Sequence, residues 1–167
     1  MSTIYHYANL TRKESFRIDA FGGTSKLRGL GGHLAARAFA LLLKHDGPIE
    51  RGQRRLTPGR WSGDSIAVIG DLYDDAFDFP RSFVSLEADV IRLLIECDGF
   101  DVVGEAARTE PRLFLELCHL VATRQLLEIE PDLERTFGSN YRSLSLATAR
   151  EHSWWEPHDL HNDLAPG

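Results

Sequence analysis

Between the pairs Gly63-Asp64 and Gly70-Asp71 the chain is apolar at four consecutive positions, Ile66 to Ile69. Two turn-forming Gly-Asp pairs this close together leave room for one short strand. A strand apolar at successive positions is expected to be covered on both faces, as in the middle of a sheet. That expectation makes Ile66–Ile69 the centre of the fold, and the other elements must assemble around it.

Ile4 to Leu10 alternates: Ile4, His6, Ala8 and Leu10 fall on one face and Tyr5, Tyr7 and Asn9 on the other. This predicts a strand, and Phe16 to Asp19 alternates again after a short polar stretch, which predicts a hairpin. His33 to Lys44 carries Leu34, Ala38, Leu41 and Leu42 at helical spacing and stops at Gly47-Pro48. A second helix is expected after Ser85 as N-cap, with Leu86, Val90, Leu93, Leu94 and Cys97 as its stripe and Gly99 as its C-cap. Phe100 to Val103 reads as a short strand. Thr109, Glu110 and Pro111 open a further helix to about Ile129, and Asp132 to Ala149 reads as helical or mixed. A hairpin followed by helices and single strands predicts an α+β domain over residues 1–150, with a small, mostly antiparallel sheet covered by helices and a helical C-terminal half. Residues 151–167 read as a polar tail containing Trp154 and Trp155.

The 167 residues suit one domain, and 43% hydrophobic content is enough for a core. The longest apolar run, Ala38 to Leu43, is too short to cross a bilayer, and no basic-then-apolar leader follows Met1. Cys97 and Cys118 lie in apolar helical patterns without CxxC spacing, which predicts two buried thiols in a reducing cytoplasm. Net charge is -6, unevenly spread: residues 1–60 hold 11 Lys+Arg against 4 Asp+Glu, and residues 61–167 hold 8 against 21. The simplest consequence is that the two halves face and neutralise each other. The sharper one is a basic face for an acidic or phosphate-bearing partner.

Four groups of residues invite a chemical reading. Phe21 to Gly32 contains five glycines with Lys26 and Arg28 ahead of a helix, where backbone N–H groups can cradle an anion. It matches neither a Walker A loop nor G-x-G-x-x-G, so a turn is the plainer reading. Arg51, Arg54, Arg55 and Arg60 lie in a segment read as an exposed loop, a local nucleic-acid surface at most, because the whole chain is acidic. Asp64 and Asp71 flank the apolar strand, where a carboxylate can serve as a base or hold magnesium, but the spacing also suits turns. His152, His158 and His161 sit in the tail and are read as exposed rather than metal-binding. No nucleophile elbow or Cys-His signature is present. No metal, cofactor or membrane is therefore expected, and nucleic acid is not the expected partner.

Three pieces together resemble a group of small uncharacterised bacterial proteins: Tyr5 to Glu14, the Phe21-Gly22-Gly23 turn, and Gly59-Arg60-Trp61-Ser62-Gly63-Asp64 running into Ile66 to Asp71. The patterns are Y-x-x-N-x-x-x-K-E and G-x-W-x-G-D-x-I-x-V-x-G-D, followed in relatives by Tyr where this chain has Leu72 before Tyr73. The resemblance covers roughly residues 4 to 97 and implies architecture without an established activity. Trp61 is expected at the sheet edge with its indole N–H on an acceptor. The resulting expectation is a non-catalytic, cytoplasmic interaction module of immunity, adaptor or accessory type. It would use Lys26, Arg28, Arg54, Arg55 and Arg60 towards a protein partner. The alternative is a phosphate- or nucleotide-binding enzyme that uses the glycine-rich loop with Asp64 or Asp71.

Overall fold

A computed structural model describes residues 4–21, 33–45, 56–70, 79 and 82–151. They form an α+β fold: a four-stranded mixed sheet followed by a helical C-terminal half. Strands β1 (Tyr5–Asn9) and β2 (Glu14–Arg17) form the expected hairpin. Asn9 Oδ1 accepts the Arg12 N–H at 2.9 Å across the turn. A 3-10 turn (Ile18–Phe21) follows, then helix α1 (His33–Leu43), strand β3 (Ile66–Gly70) and the two-residue strand β4 (Val84–Ser85). The helices after them are α2 (Glu87–Asp98), α3 (Phe100–Thr109), α4 (Pro111–Ala122), α5 (Glu130–Phe137) and α6 (Tyr141–Glu151).

The sheet order is β3-β1-β2-β4, with β2-β4 parallel and the other two pairings antiparallel. The hairpin, not β3, therefore occupies the middle. The apolar composition of β3 has another cause: both of its faces touch apolar groups although it stands at the edge. Ile66 packs on the main core, while Ala67 and Ile69 join Ala8, Phe79 and Phe83 on the opposite face. The strand is thus neither central nor covered throughout: Val68, on the same face as Ile66, is 42% exposed.

The main core lies between the Tyr7 face of the sheet and the helices. Tyr7 stacks on Phe39 of α1 with ring centroids 4.2 Å apart, and Phe16, Trp61, Leu42, Ile91, Leu94, Leu113 and Leu117 fill the space between. Helix α4 supplies the most deeply buried stripe, from Leu113 through Val121. Phe100 to Val103 is helix rather than strand. Gly99, at φ +89°, ends α2 and turns the chain straight into α3, where Phe100, Val103 and Ala107 make a buried helical stripe. Ser85 pairs with Ser15 in the sheet, and α2 begins after Leu86 without a side-chain cap. Cys97 is exposed, against the expectation of two buried thiols, whereas Cys118 is buried. Among the described residues no helix is long and apolar enough to cross a membrane.

The end of α1 is closed by the distant turn 56–64. The Gly59 N–H donates to the Leu41 carbonyl at 2.8 Å, and the Trp61 N–H donates to the Leu42 carbonyl at 2.9 Å. Carbonyls that a helix terminus leaves open thus find partners in a loop from elsewhere in the chain. Gly59 adopts φ +84°, and a Cβ there would stand 2.6 Å from the Lys44 carbonyl oxygen. Gly59→Ala is expected to cost about 2–3 kcal/mol through positive φ and the backbone clash. Urea unfolding of the variant checks this, and a loss below about 0.5 kcal/mol would be an ordinary surface effect instead.

Candidate functional site

The motif Gly59 to Asp64 forms a clasp between α1, the hairpin and β3. Trp61 is fully buried, and its indole N–H donates to Glu14 Oε2 at 2.8 Å. Arg60 donates to the other oxygen of the same carboxylate, Nη2 to Oε1 at 2.5 Å. Three residues on, Asp64 Oδ2 accepts from Asn9 Nδ2 at 2.9 Å and from Arg12 Nε at 2.7 Å. Buried carboxylates need such partners, because an unpaired charge out of water is costly. Every polar group named here therefore holds another in place. Trp61 sits within the core rather than at the sheet edge, and its N–H finds the acceptor the sequence reading required.

A second polar cluster lies where β2, the 3-10 turn, α2 and α4 meet. The Arg17 guanidinium reaches Glu116 of α4 at 3.0 Å, and the Arg17 backbone N–H donates to Glu87 of α2 at 2.9 Å. Arg112 of α4 pairs with Asp19 of the 3-10 turn. Three carboxylates thus face two guanidiniums in a buried setting. Burial above all, reinforced by Glu87 and Asp19 and opposed by Arg17, pushes the Glu116 carboxyl up to about 7. His6, opposite Arg17 in the β1–β2 register, stands edge-on to Phe79 with centroids 4.7 Å apart. Burial and the Arg17 charge lower its pKa to about 4, so its ring is neutral. His6 Nδ1 and Asp19 Oδ1 have no hydrogen-bond partner among the described residues.

A carboxyl near 7 and a neutral imidazole, each under the influence of Arg17, have the protonation states that acid–base chemistry uses. Here Glu116 is 4% exposed and hydrogen-bonded to Arg17, so its proton balances buried charge instead. The two groups act on stability with opposite sign. Glu116, raised from 4.5, contributes stability that is present below pH 4.5 and is lost as pH rises towards 7. His6, lowered from 6.5, contributes stability that is present above pH 6.5 and is lost as pH falls towards 4. Each contribution is ~3 kcal/mol, so in the native protein they nearly cancel. Relative to wild type, E116Q is expected to gain stability by roughly that amount from pH 4.5 to 7, and H6L to lose it from pH 4 to 6.5. Urea titrations at several pH values check both, and parallel curves for all three proteins would contradict the assignment.

Of the residues singled out from sequence, the structure brings together Arg60, Trp61 and Asp64, all in the clasp. Arg60 is partly buried against Glu14 rather than part of an exposed loop. Lys26, Arg28, Arg54, Arg55, Asp71 and the tail histidines lie outside the described residues. The charge asymmetry between the halves is in part consumed internally: Arg12 pairs with Asp64, Arg17 with Glu87 and Glu116, and Arg37 with Asp98 at 2.8 Å. Sequence reasoning missed the Arg17 cluster. Its only signal was acids recurring on the otherwise apolar faces of α2 and α4, at Glu87 and Glu116. Among the described residues no group of three or more His, Cys, Asp or Glu is arranged to hold a metal. Burial pushes the Cys118 thiol up to about 12, which keeps it protonated at neutral pH.

No protein-family model, curated protein or solved structure matches the chain. In the resemblance drawn above, the chain departs from Y-x-x-N, since Tyr5 stands four residues and Tyr7 two residues before Asn9. The G-x-W-x-G-D-x-I-x-V-x-G-D pattern is complete, and each described polar member of it has a structural task.

Proposed function

We propose that this is a non-catalytic bacterial interaction module, of immunity, adaptor or accessory type, which works in the cytoplasm and binds a protein partner with an acidic surface. The supporting observation is the engagement of Asp64. An enzyme built on the Gly-Asp strand would use Asp64 or Asp71 for a metal or a proton, and Asp64 here accepts two hydrogen bonds, from Asn9 and Arg12. Arg60 is likewise occupied by Glu14, so this reading assigns the partner contacts to Lys26, Arg28, Arg54 and Arg55. These four flank α1 in sequence, two before it and two after. Guanidinium groups give such a surface planar, bidentate contacts to carboxylates.

The test uses wild-type protein and the K26A/R28A/R54A/R55A variant as paired baits. A partner captured by the first and lost by the second is then purified and titrated. Affinity is expected to fall as salt rises through ~0.1 to 0.5 M, because surface charge is screened over that range. Equal capture by both baits would count against the reading. So would turnover of a nucleotide or phosphoester by purified protein that Asp71→Ala abolishes, or a melting midpoint raised by ATP or GTP with Mg²⁺.

A further inference from the structure

Residues 33–45, helix α1 and its exit, contain no acidic residue, in a chain whose net charge is -6. Arg37, Ala40 and Lys44 are exposed. Spaced i, i+3 and i+7, they share the outward side of the helix, while Leu34, Ala38, Leu41 and Leu42 belong to the core.

Arg37 is held in place without being used up. Its Nε and Nη2 donate to the two oxygens of Asp98, at 2.9 and 2.8 Å. These bonds occupy one edge of the planar guanidinium. The other edge, formed by Nη1 and the second hydrogen of Nη2, offers a like pair of donors and has no partner among the described residues. Arg37 is 47% exposed, whereas Arg60 in its pair with Glu14 is 22% exposed. Asp98, at the end of α2, thus sets the plane of the guanidinium and leaves its second fork directed away from the pair.

We propose that the outward side of α1 docks the acidic surface of a protein partner, with a partner carboxylate seated on the open edge of Arg37. The inference rests on the reading of this chain as a binder of an acidic partner, and gives that reading a surface within the described residues. Three observations favour this occupant. The face is complementary in charge, since α1 carries no acid to repel a carboxylate and Asp98 beside it is already bonded to Arg37. A fork held by its own acid loses little freedom when a second carboxylate binds, which favours the bound state. Ala40 places only a methyl group between Arg37 and Lys44, so a partner can close on the helix without displacing a long side chain. In sequence the basic character also continues past both ends of α1, at Lys26 and Arg28 before it and at Arg54 and Arg55 after it.

Nuclear magnetic resonance of the isotope-labelled whole chain, titrated with a short oligoglutamate peptide, tests the surface. In wild-type protein the Arg37 Nε–H and the Ala40 and Lys44 amides are expected to shift saturably. Arg37→Lys keeps the charge and loses the fork, and is expected to weaken peptide binding about fivefold. Ala40→Glu keeps a good helix former at an exposed position, and is expected to weaken it at least as much by repulsion. Both substitutions leave the core untouched, so melting midpoints should stay near that of wild type. Peptide binding that K26A/R28A/R54A/R55A abolishes and both α1 variants leave unchanged would overturn this inference while the acidic-partner reading stands. Saturable shifts confined to residues away from α1 would overturn it as well. A wild-type protein that does not bind the peptide would overturn the inference and the reading together.

Discussion

Trp61→Ala is expected to remove about 4 kcal/mol of stability, close to the upper end for truncating a buried aromatic side chain. The loss has two sources. The indole is completely buried against Phe16 and the α1 stripe, so its removal leaves a cavity that rigid secondary structure closes only in part. Its N–H also donates to Glu14, and the truncated protein keeps that carboxylate in place with one partner fewer. For a chain of this size the melting midpoint should fall by on the order of 10 °C. Trp61→Phe separates the sources, since it restores most of the apolar volume but not the donor. It is expected to recover more than half of the loss. Thermal and urea unfolding of both variants measure this, and near-wild-type stability for Trp61→Ala would mean that the indole is not part of the core.

Arg17→Met carries the other large expected effect. Arg17 neutralises Glu116 and Glu87 at a site where Asp19 adds a third carboxylate, and methionine keeps an unbranched stem while deleting the charged head. Removing one partner of a buried charge cluster typically costs about 3–5 kcal/mol. The cost should depend on pH in a definite direction. Without Arg17 the Glu116 carboxyl moves further above 7, and His6 moves back up from about 4. A carboxyl with a raised folded pKa loses its stabilising contribution as pH rises, so the deficit of Arg17→Met should be greater at pH 8 than at pH 5. Adding Glu116→Gln should restore part of the loss, because the double variant buries one fewer unpaired carboxylate. Urea titrations of the single and double variants at both pH values decide it. A deficit equal at the two pH values would remove the electrostatic explanation.

The parts of this fold that were legible in the sequence depend on local periodicity. Alternation over Ile4–Leu10, the helical stripes of α1 and α2, and the stop at Gly99 are written in neighbouring residues, and each led to the right kind of element. The lateral position of β3 was not legible. An apolar strand looks the same whether a second strand or an aromatic loop covers its face, and here Phe79 and Phe83 do the covering. Phe100–Val103 misled for a related reason, since four residues contain little more than one helical turn and Gly99 reads equally as an end and a beginning. The clasp was visible as a motif but not as a device. Nothing local to Gly59-Arg60-Trp61 says that its partners are Leu41, Leu42 and Glu14, at separations that only the folded chain closes. The Arg17 cluster was the least legible, because Arg17, Asp19, Glu87, Arg112 and Glu116 look like ordinary surface charges until α4 packs on the 3-10 turn.

The account rests on the reading of Gly59–Asp64 as a clasp whose polar groups are spent on holding the hairpin. A double-mutant cycle on stability, with Trp61→Phe and Glu14→Ala measured singly and together, tests it most directly. Residues joined by a buried, charge-assisted hydrogen bond should couple by at least ~1 kcal/mol. Losses that add to within ~0.3 kcal/mol would show that Trp61 and Glu14 act independently, and would contradict it.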